Sequence, residues 1–339
     1  MRYFYLLATV IFGLLASPIM AVDWEDQRVF SGASPSRVLR ILSSTDTAFF
    51  EPIIESYLQD DPTVTVEYFV SSTSDLDTIF RQTPKAFDVV ISSAMDLQFK
   101  LTNDGYAMKV ANLPHPDWAQ WQQSLFAFTT EPAAIVINKN AFSAQPIPQS
   151  RQDLILALRA RPDFFRERIG TYDVRKSGVG YLFATQDARL SETYWRLMEV
   201  MGSLQARLYC CSGDMIDDLE SGKIAVAYNV LGSYAAARAK TSKTLEIILP
   251  SDFPTTMMRT ALISRAAQNP EKAKNFLRHL LTIQAGGAYE NALTLPSLMS
   301  RQDPNGQSTI DLTPALMTYL DDLKRATFIQ EWSNAIIQN

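Results

Sequence analysis

The chain has 339 residues, 47% of them hydrophobic and 20% charged, with a formal net charge of −5. This is a globular composition on a chain long enough for two lobes, and without a dense Lys/Arg stripe it excludes the basic footprint that nucleic-acid binding needs. Two cysteines, the neighbours Cys210 and Cys211, exclude a disulfide framework; a bridge between them would be strained, and they are expected as small buried residues at a loop edge.

Arg2, the apolar run from Tyr3 to Leu15, and the small or helix-breaking residues Ala16, Ser17, Pro18 and Ala21 predict a signal peptide over 1–21, cleaved near Ala21, and hence a periplasmic protein. The run is shorter than the roughly 20 residues of a membrane span. Residues 22–36 read as a polar leader. Three strand–turn–helix units follow. The strands are Arg37 to Leu42, Val64 to Val70 and Phe87 to Ile91; the helices cover Ala48 to Leu58, Asp75 to Arg81 and the stretch up to Asn103. This alternation specifies a parallel sheet with helices on its faces. The rhythm restarts with strand Ala133 to Asn138, helix Ser150 to Arg161, strand Arg168 to Tyr172, a helix through Ala188 and another over Ser191 to Leu204. Strands Ile224 to Tyr228, Leu245 to Leu249 and Met258 to Ser264 come next. A helix opens at Asn269-Pro270 and continues over Gln284 to Asn291, and Thr313 to Asp322 and Phe328 to Ile337 form a helical tail.

The turns after the first three strands are rich in hydroxyls: Ser43-Ser44-Thr45-Asp46-Thr47, Ser71-Ser72-Thr73-Ser74 and Ser92-Ser93. One such turn is an ordinary helix cap. Three at the carboxyl edge of one sheet, each before a helix N-terminus, form a candidate site for an anion. Ser44, Thr45, Thr47, Ser72, Thr73 and Ser93 are its candidate ligands in the first unit. In the second, Arg175-Lys176-Ser177-Gly178-Val179-Gly180-Tyr181 lacks the third glycine of a dinucleotide loop, Phe183 standing there, and reads as a glycine-relieved anion cradle. Arg175, Ser177, Gly178, Gly180 and Tyr181 are candidates there, with Asn229 at the end of a later strand. His115 and His279 are far apart, and no zincin, nucleophile-elbow or Walker motif occurs. No catalytic residue, cofactor or metal is expected.

Several stretches carry a family likeness: RVLRILSSTDTAFFEPIIESYLQDDP, FDVVISSAMD, TTEPAAIVINKNAF, SGVGYLFATQDA, SGKIAVAYNVLGSYAAA and NPEKAKNFLRHLLTIQAGGAYE. Together with the leader they resemble a class II periplasmic solute-binding protein of an ABC importer. Within that class the chain is most similar to the branch that binds ferric iron, sugar phosphates and phosphoglycerate. The resemblance implies a two-lobed α/β fold with a mostly parallel sheet in each lobe and a cleft between them. Residues 37–130 plus 255–339 would form lobe one and 131–254 lobe two. It also implies a monomer that closes on a small solute and then docks on a membrane permease. Ferric members ligate iron through adjacent tyrosines after a strand; the matching stretch here, Tyr228-Asn229-Val230-Leu231-Gly232-Ser233-Tyr234, lacks the adjacent pair. Hard Fe³⁺ wants several anionic oxygens, so a phosphorylated or carboxylated organic anion is the expected cargo. A ferric-iron carrier, and a sensor feeding a two-component membrane kinase, are the alternatives.

Overall fold

The structure is a computed structural model that describes residues 23–285, 295–298 and 308–338. The expected signal peptide and the helical continuation past Ala285 lie outside the described residues.

The first sheet opens with β1 (Asp26–Ser31) and β2 (Arg37–Ser43), followed by helix α1 (Thr47–Asp60), β3 (Val64–Val70), α2 (Thr73–Gln82), β4 (Val89–Ser92) and α3 (Met95–Asn103). β2 pairs in parallel with both β3 and β4. The three hydroxyl turns therefore share one sheet edge, as the alternation predicts. Leu39, Ile41, Val66, Val89 and Ile91 are buried on one face against Phe50, Ile53 and Ile54 of α1. The stretch read as a polar leader contains a strand, since β1 runs antiparallel to β3 at the sheet edge. Its residues are exposed or half-buried, so it carries no apolar alternation to betray it.

After a short hairpin, β5 (Gln120–Trp121) and β6 (Leu125–Ala127), the chain crosses over. β7 (Glu131–Asn138) begins the second sheet. Then come α4 (Arg151–Ala160), α5 (Pro162–Phe165), β8 (Ile169–Tyr172), α6 (Gly178–Leu190), α7 (Thr193–Ser203), β9 (Arg207–Tyr209), α8 (Ser212–Glu220), β10 (Val226–Leu231), α9 (Gly232–Ala239), β11 (Leu245–Ile248) and β12 (Thr255–Met257). β12 still pairs with β7, so the return to the first sheet falls at Met258-Arg259 and not at residue 255. β13 (Thr260–Ile263) joins β4 and β6, and α10 (Pro270–Ala285) packs behind it.

Both sheets are mixed. A parallel kernel (β3-β2-β4 in one, β10-β8-β9 in the other) is extended by antiparallel strands. The reason is topological: β7, running on from the first crossover, enters the second sheet against the direction of its kernel, and β13, running on from the second, enters the first sheet against its kernel.

The expectation that the whole tail belongs to lobe one holds at Leu295, which is buried in the first lobe's core, and fails from residue 308 onward. β14 (Ser308–Thr309) pairs with β12, and a 3-10 turn (Pro314–Leu320) leads to α11 (Asp322–Ile336), which lies on α7 of the second lobe. Phe328, Trp332 and Ile336 form a stripe at four-residue spacing and are buried in that lobe's core. Gly202 permits the close approach: a Cβ there would lie 2.2 Å from the Ala335 carbonyl oxygen. No helix among the described residues is long and apolar enough to cross a membrane.

Candidate functional site

Two crossover segments, Phe128–Thr130 and Met258–Arg259, run side by side between the sheets, tied by the Phe128 N–H donating to the Arg259 carbonyl at 2.9 Å. A fully buried ion pair sits on them. Arg259 Nε donates to Glu131 Oε1 at 2.9 Å and its second arm to Oε2 at 3.1 Å. Thr129 donates to Glu131 Oε1 at 2.9 Å, Ser233 donates to Oε2, and the third arm of Arg259 donates to the Thr45 hydroxyl. The pair thus joins the first corner of lobe one (Thr45), the crossovers and the start of α9 (Ser233). Tyr68 completes the corner, its hydroxyl 2.7 Å from Ser43 Oγ and 2.8 Å from the Thr45 carbonyl. Burial pushes that phenol well above its ordinary range.

The lobes also meet at Thr73 and at Tyr234. Thr73 Oγ1, on the first turn of α2, accepts from the backbone N–H of Gly178 at 2.8 Å and of Val179 at 3.2 Å. These are N-terminal donors of α6, which helix geometry leaves without partners of their own. Gly178 makes the approach possible: a Cβ there would stand 2.9 Å from Leu97 Cδ1 and 3.2 Å from both Ala94 Cβ and Thr73 Oγ1. At the second point Tyr234 of α9 donates to Asp46 Oδ1 at 2.9 Å, accepts from the Asp46 N–H at 3.2 Å, and stacks on Phe49 at 4.4 Å. Burial, with Asp46 beside it, raises the Tyr234 phenol far above its usual range.

The structure brings some of the expected residues together and turns others away. Ser44 Oγ accepts from the Ser93 N–H at 3.2 Å and lies 3.4 Å from Ser92 Oγ, so the first and third corners touch. Ser177 caps α6 by accepting from the Gly180 N–H at 3.2 Å. Ser72 caps α2, accepting from the Asp75 N–H at 3.1 Å. Thr47 points to β1, donating to Asp26 Oδ2 at 2.6 Å. Gly180 serves packing, since a Cβ there would meet Tyr172 Cβ at 2.3 Å. Tyr181 faces the C-terminal segment, donating to the Tyr319 carbonyl at 2.5 Å beneath Arg325 and Phe328.

Arg175 is held by Asp173 through two bonds of 2.8 and 2.7 Å, which lower the Asp173 pKa despite burial. Asn229 adopts a left-handed φ of 62° at the irregularity in β10 and donates to Asp187 Oδ2 at 2.9 Å, while its Oδ1 is buried without a partner. Asp187 is the centre of a second buried network. It accepts from Arg151 at 3.1 Å, Tyr228 at 2.7 Å and Thr255 at 3.0 Å.

The sequence reading missed Glu131, Arg259, Ser233 and the Asp46–Tyr234 contact. A signal for the first two was present: each is a lone charge in an otherwise apolar strand segment, EPAAIVIN and TTMMRTALI. A buried charge needs a partner.

Residues 85–314 match the family model of the bacterial extracellular solute-binding proteins. A substrate-binding protein of an ABC transporter from Agrobacterium tumefaciens superposes with a TM-score of 0.84 at 30% identity, covering 92% of this chain and 98% of that one. The chain belongs to the bacterial extracellular solute-binding proteins. It is a binding protein and not an enzyme, and its family is an exported one. Two more distant solved structures share the fold of this solute-binding protein. AfuA from Actinobacillus pleuropneumoniae, solved with fructose-6-phosphate, has a TM-score of 0.69 at 16% identity, with 89% and 99% of the two chains covered. Iron-bound HitA from Pseudomonas aeruginosa has a TM-score of 0.64 at 14% identity, with 88% and 99% covered. No curated protein matches the chain significantly.

Proposed function

We propose that this protein is the solute-capturing component of an ABC importer, secreted to the periplasm with cleavage near Ala21, acting as a monomer that closes over a small organic anion and presents it to a membrane permease. The observation that carries this reading is the Thr73 contact. An oxygen from one lobe fills the N-terminal donors of a helix in the other, Gly178 and Val179. A carboxylate or phosphoryl oxygen is a stronger acceptor of the same kind, and the hydroxyls of Ser44, Thr45 and Thr73 lie at the same sheet edge to donate to it. Hinge motion about the paired crossovers opens and closes the gap. A solute favours the closed form only by binding it better than the open one.

The permease reading draws on the Agrobacterium relative, named as part of an ABC transporter. Organic anion is preferred to ferric iron because the phenols near the cleft are already engaged, Tyr228 between Arg151 and Asp187 and Tyr234 with Asp46. A thermal-shift screen over sugar phosphates, phosphoglycerates, carboxylates and ferric salts tests both. A solute at about 100 times its Kd stabilises by about 2.7 kcal/mol. A hit among the organic anions is expected; a shift by ferric salts alone overturns the cargo assignment. Genes for a permease and an ATPase beside this one are expected, and a lone sensor kinase gene in their place contradicts the transport role.

A further inference from the structure

The adjacent cysteines are not buried packing. Both are free; Cys210 is exposed and Cys211 half-buried. They follow β9, and Cys211 is the residue before the first turn of α8, in which Asp214 lies. That turn gathers Cys210 Sγ, Cys211 Sγ and an Asp214 carboxylate oxygen within 4.8 Å of one another. Cys210 Sγ is 3.7 Å from Asp214 Oδ2. From the other lobe Glu25, anchored by its N–H donating to the Val70 carbonyl at 3.0 Å, brings Oε1 to 4.0 Å from Cys211 Sγ.

Several acids gather around Glu25. Burial and the charges of Asp46, Asp75 and Asp214 hold the Glu25 carboxyl above its ordinary range. Among the described residues no Lys, Arg or His forms an ion pair with Glu25, Asp46, Asp75 or Asp214.

We propose that Cys210, Cys211, Asp214 and Glu25 form a site for one thiophilic divalent cation of the zinc class, which bridges the two lobes at the rim of the cleft. A thiolate at about 2.3 Å and a carboxylate oxygen at about 2.1 Å on a tetrahedral ion stand about 3.6 Å apart. The 3.7 and 4.0 Å separations are close to that edge. Two sulfurs select zinc-like ions over magnesium or calcium. Binding exchanges the two thiol protons for the ion, and the N-terminus of α8 favours the thiolates formed. Three ligands come from one turn and need no closure. The fourth, Glu25, reaches Cys211 Sγ but lies outside the 4.8 Å group of the other three, so its carboxylate must swing in as the ion binds; it also rests on the closed arrangement proposed above.

The test uses the mature, reduced, metal-stripped chain, titrated with Zn²⁺ by calorimetry and with Co²⁺ by absorption, no solute being required. One ion per chain is expected, with a thiolate-to-cobalt charge-transfer band and the intense visible bands of a tetrahedral ion. C210S/C211S should lose both signals. D214N and E25Q should each weaken Zn²⁺ on the order of ten-fold or more, with melting curves confirming that the variants fold. Absence of saturable binding, a charge-transfer band that persists in C210S/C211S, or parent-like affinity in either D214N or E25Q overturns the bridging site. A failure here leaves the importer reading intact, since the solute screen is read without metal.

Discussion

Replacing Thr73 with valine keeps the outline of the side chain and deletes the one oxygen that receives the Gly178 and Val179 N–H groups. In the closed form these donors, one at 2.8 Å and one at 3.2 Å, are left unmet in a buried place, at a cost of about 1–3 kcal/mol. In the open form water satisfies them, so the penalty falls on closure. At about 1.4 kcal/mol per factor of ten, the closed-to-open ratio should drop about ten- to a hundred-fold. Small-angle scattering of the parent, Thr73→Val and Thr73→Ser, with and without the solute found by thermal shift, reads the effect. The serine variant retains the oxygen and should track the parent. If the solute-free parent is closed, the valine variant should be more extended and melt lower; if the parent is open, the variant should bind its solute correspondingly more weakly, with an unchanged solute-free melting temperature. Parent-like dimensions together with parent-like affinity in Thr73→Val would refute the latch.

Glu131→Gln strips the partner from a fully buried arginine and should cost about 3–5 kcal/mol of folding stability in a denaturant titration; an unchanged midpoint would mean that Arg259 finds another counter-charge. Gly178→Ala places a methyl against Leu97, Ala94 and Thr73 of the opposite lobe, so it should weaken solute affinity while leaving the solute-free melting temperature equal or higher. Asp96 is buried with Oδ1 unpaired, and burial pushes its carboxyl up to about 7. Between about pH 4 and 7 the folded chain therefore holds a proton that the unfolded chain has released. That contribution is present at low pH and lost as pH rises through 7. Asp96→Asn never ionises, so its melting temperature should gain on the parent's from pH 5 to pH 8; a constant difference across that range would contradict the shift.

The parallel kernel of the first lobe was legible because its strands are apolar runs bounded by hydroxyl turns and amphipathic helices. β1 was not, since a half-exposed edge strand has no periodic apolar face. The docking of α11 was equally hidden: its stripe of Phe328, Trp332 and Ile336 says that the helix is covered but not by which lobe, a question that long-range packing on α7 decides. The contacts of Ser44 with Ser93 and of Thr73 with Gly178 involve residues that the sequence marks by their places at strand ends and helix starts. Arg175 looked free in the sequence, yet Asp173 stands two residues before it and neutralises it. Tyr181 lies on the first turn of the predicted cradle helix, but on the side that faces the tail. The Asp46–Tyr234 contact joins residues 188 apart, a separation at which no local pattern speaks.

The most direct measurement is hydrogen–deuterium exchange of the mature chain with and without saturating solute, read in peptides covering residues 43–47, 71–75, 92–95 and 177–181. Held between both lobes, the solute should slow exchange in the first-lobe corners and at the start of α6 together. Slowing confined to one lobe, or to the outer faces with these segments unchanged, would contradict capture between them.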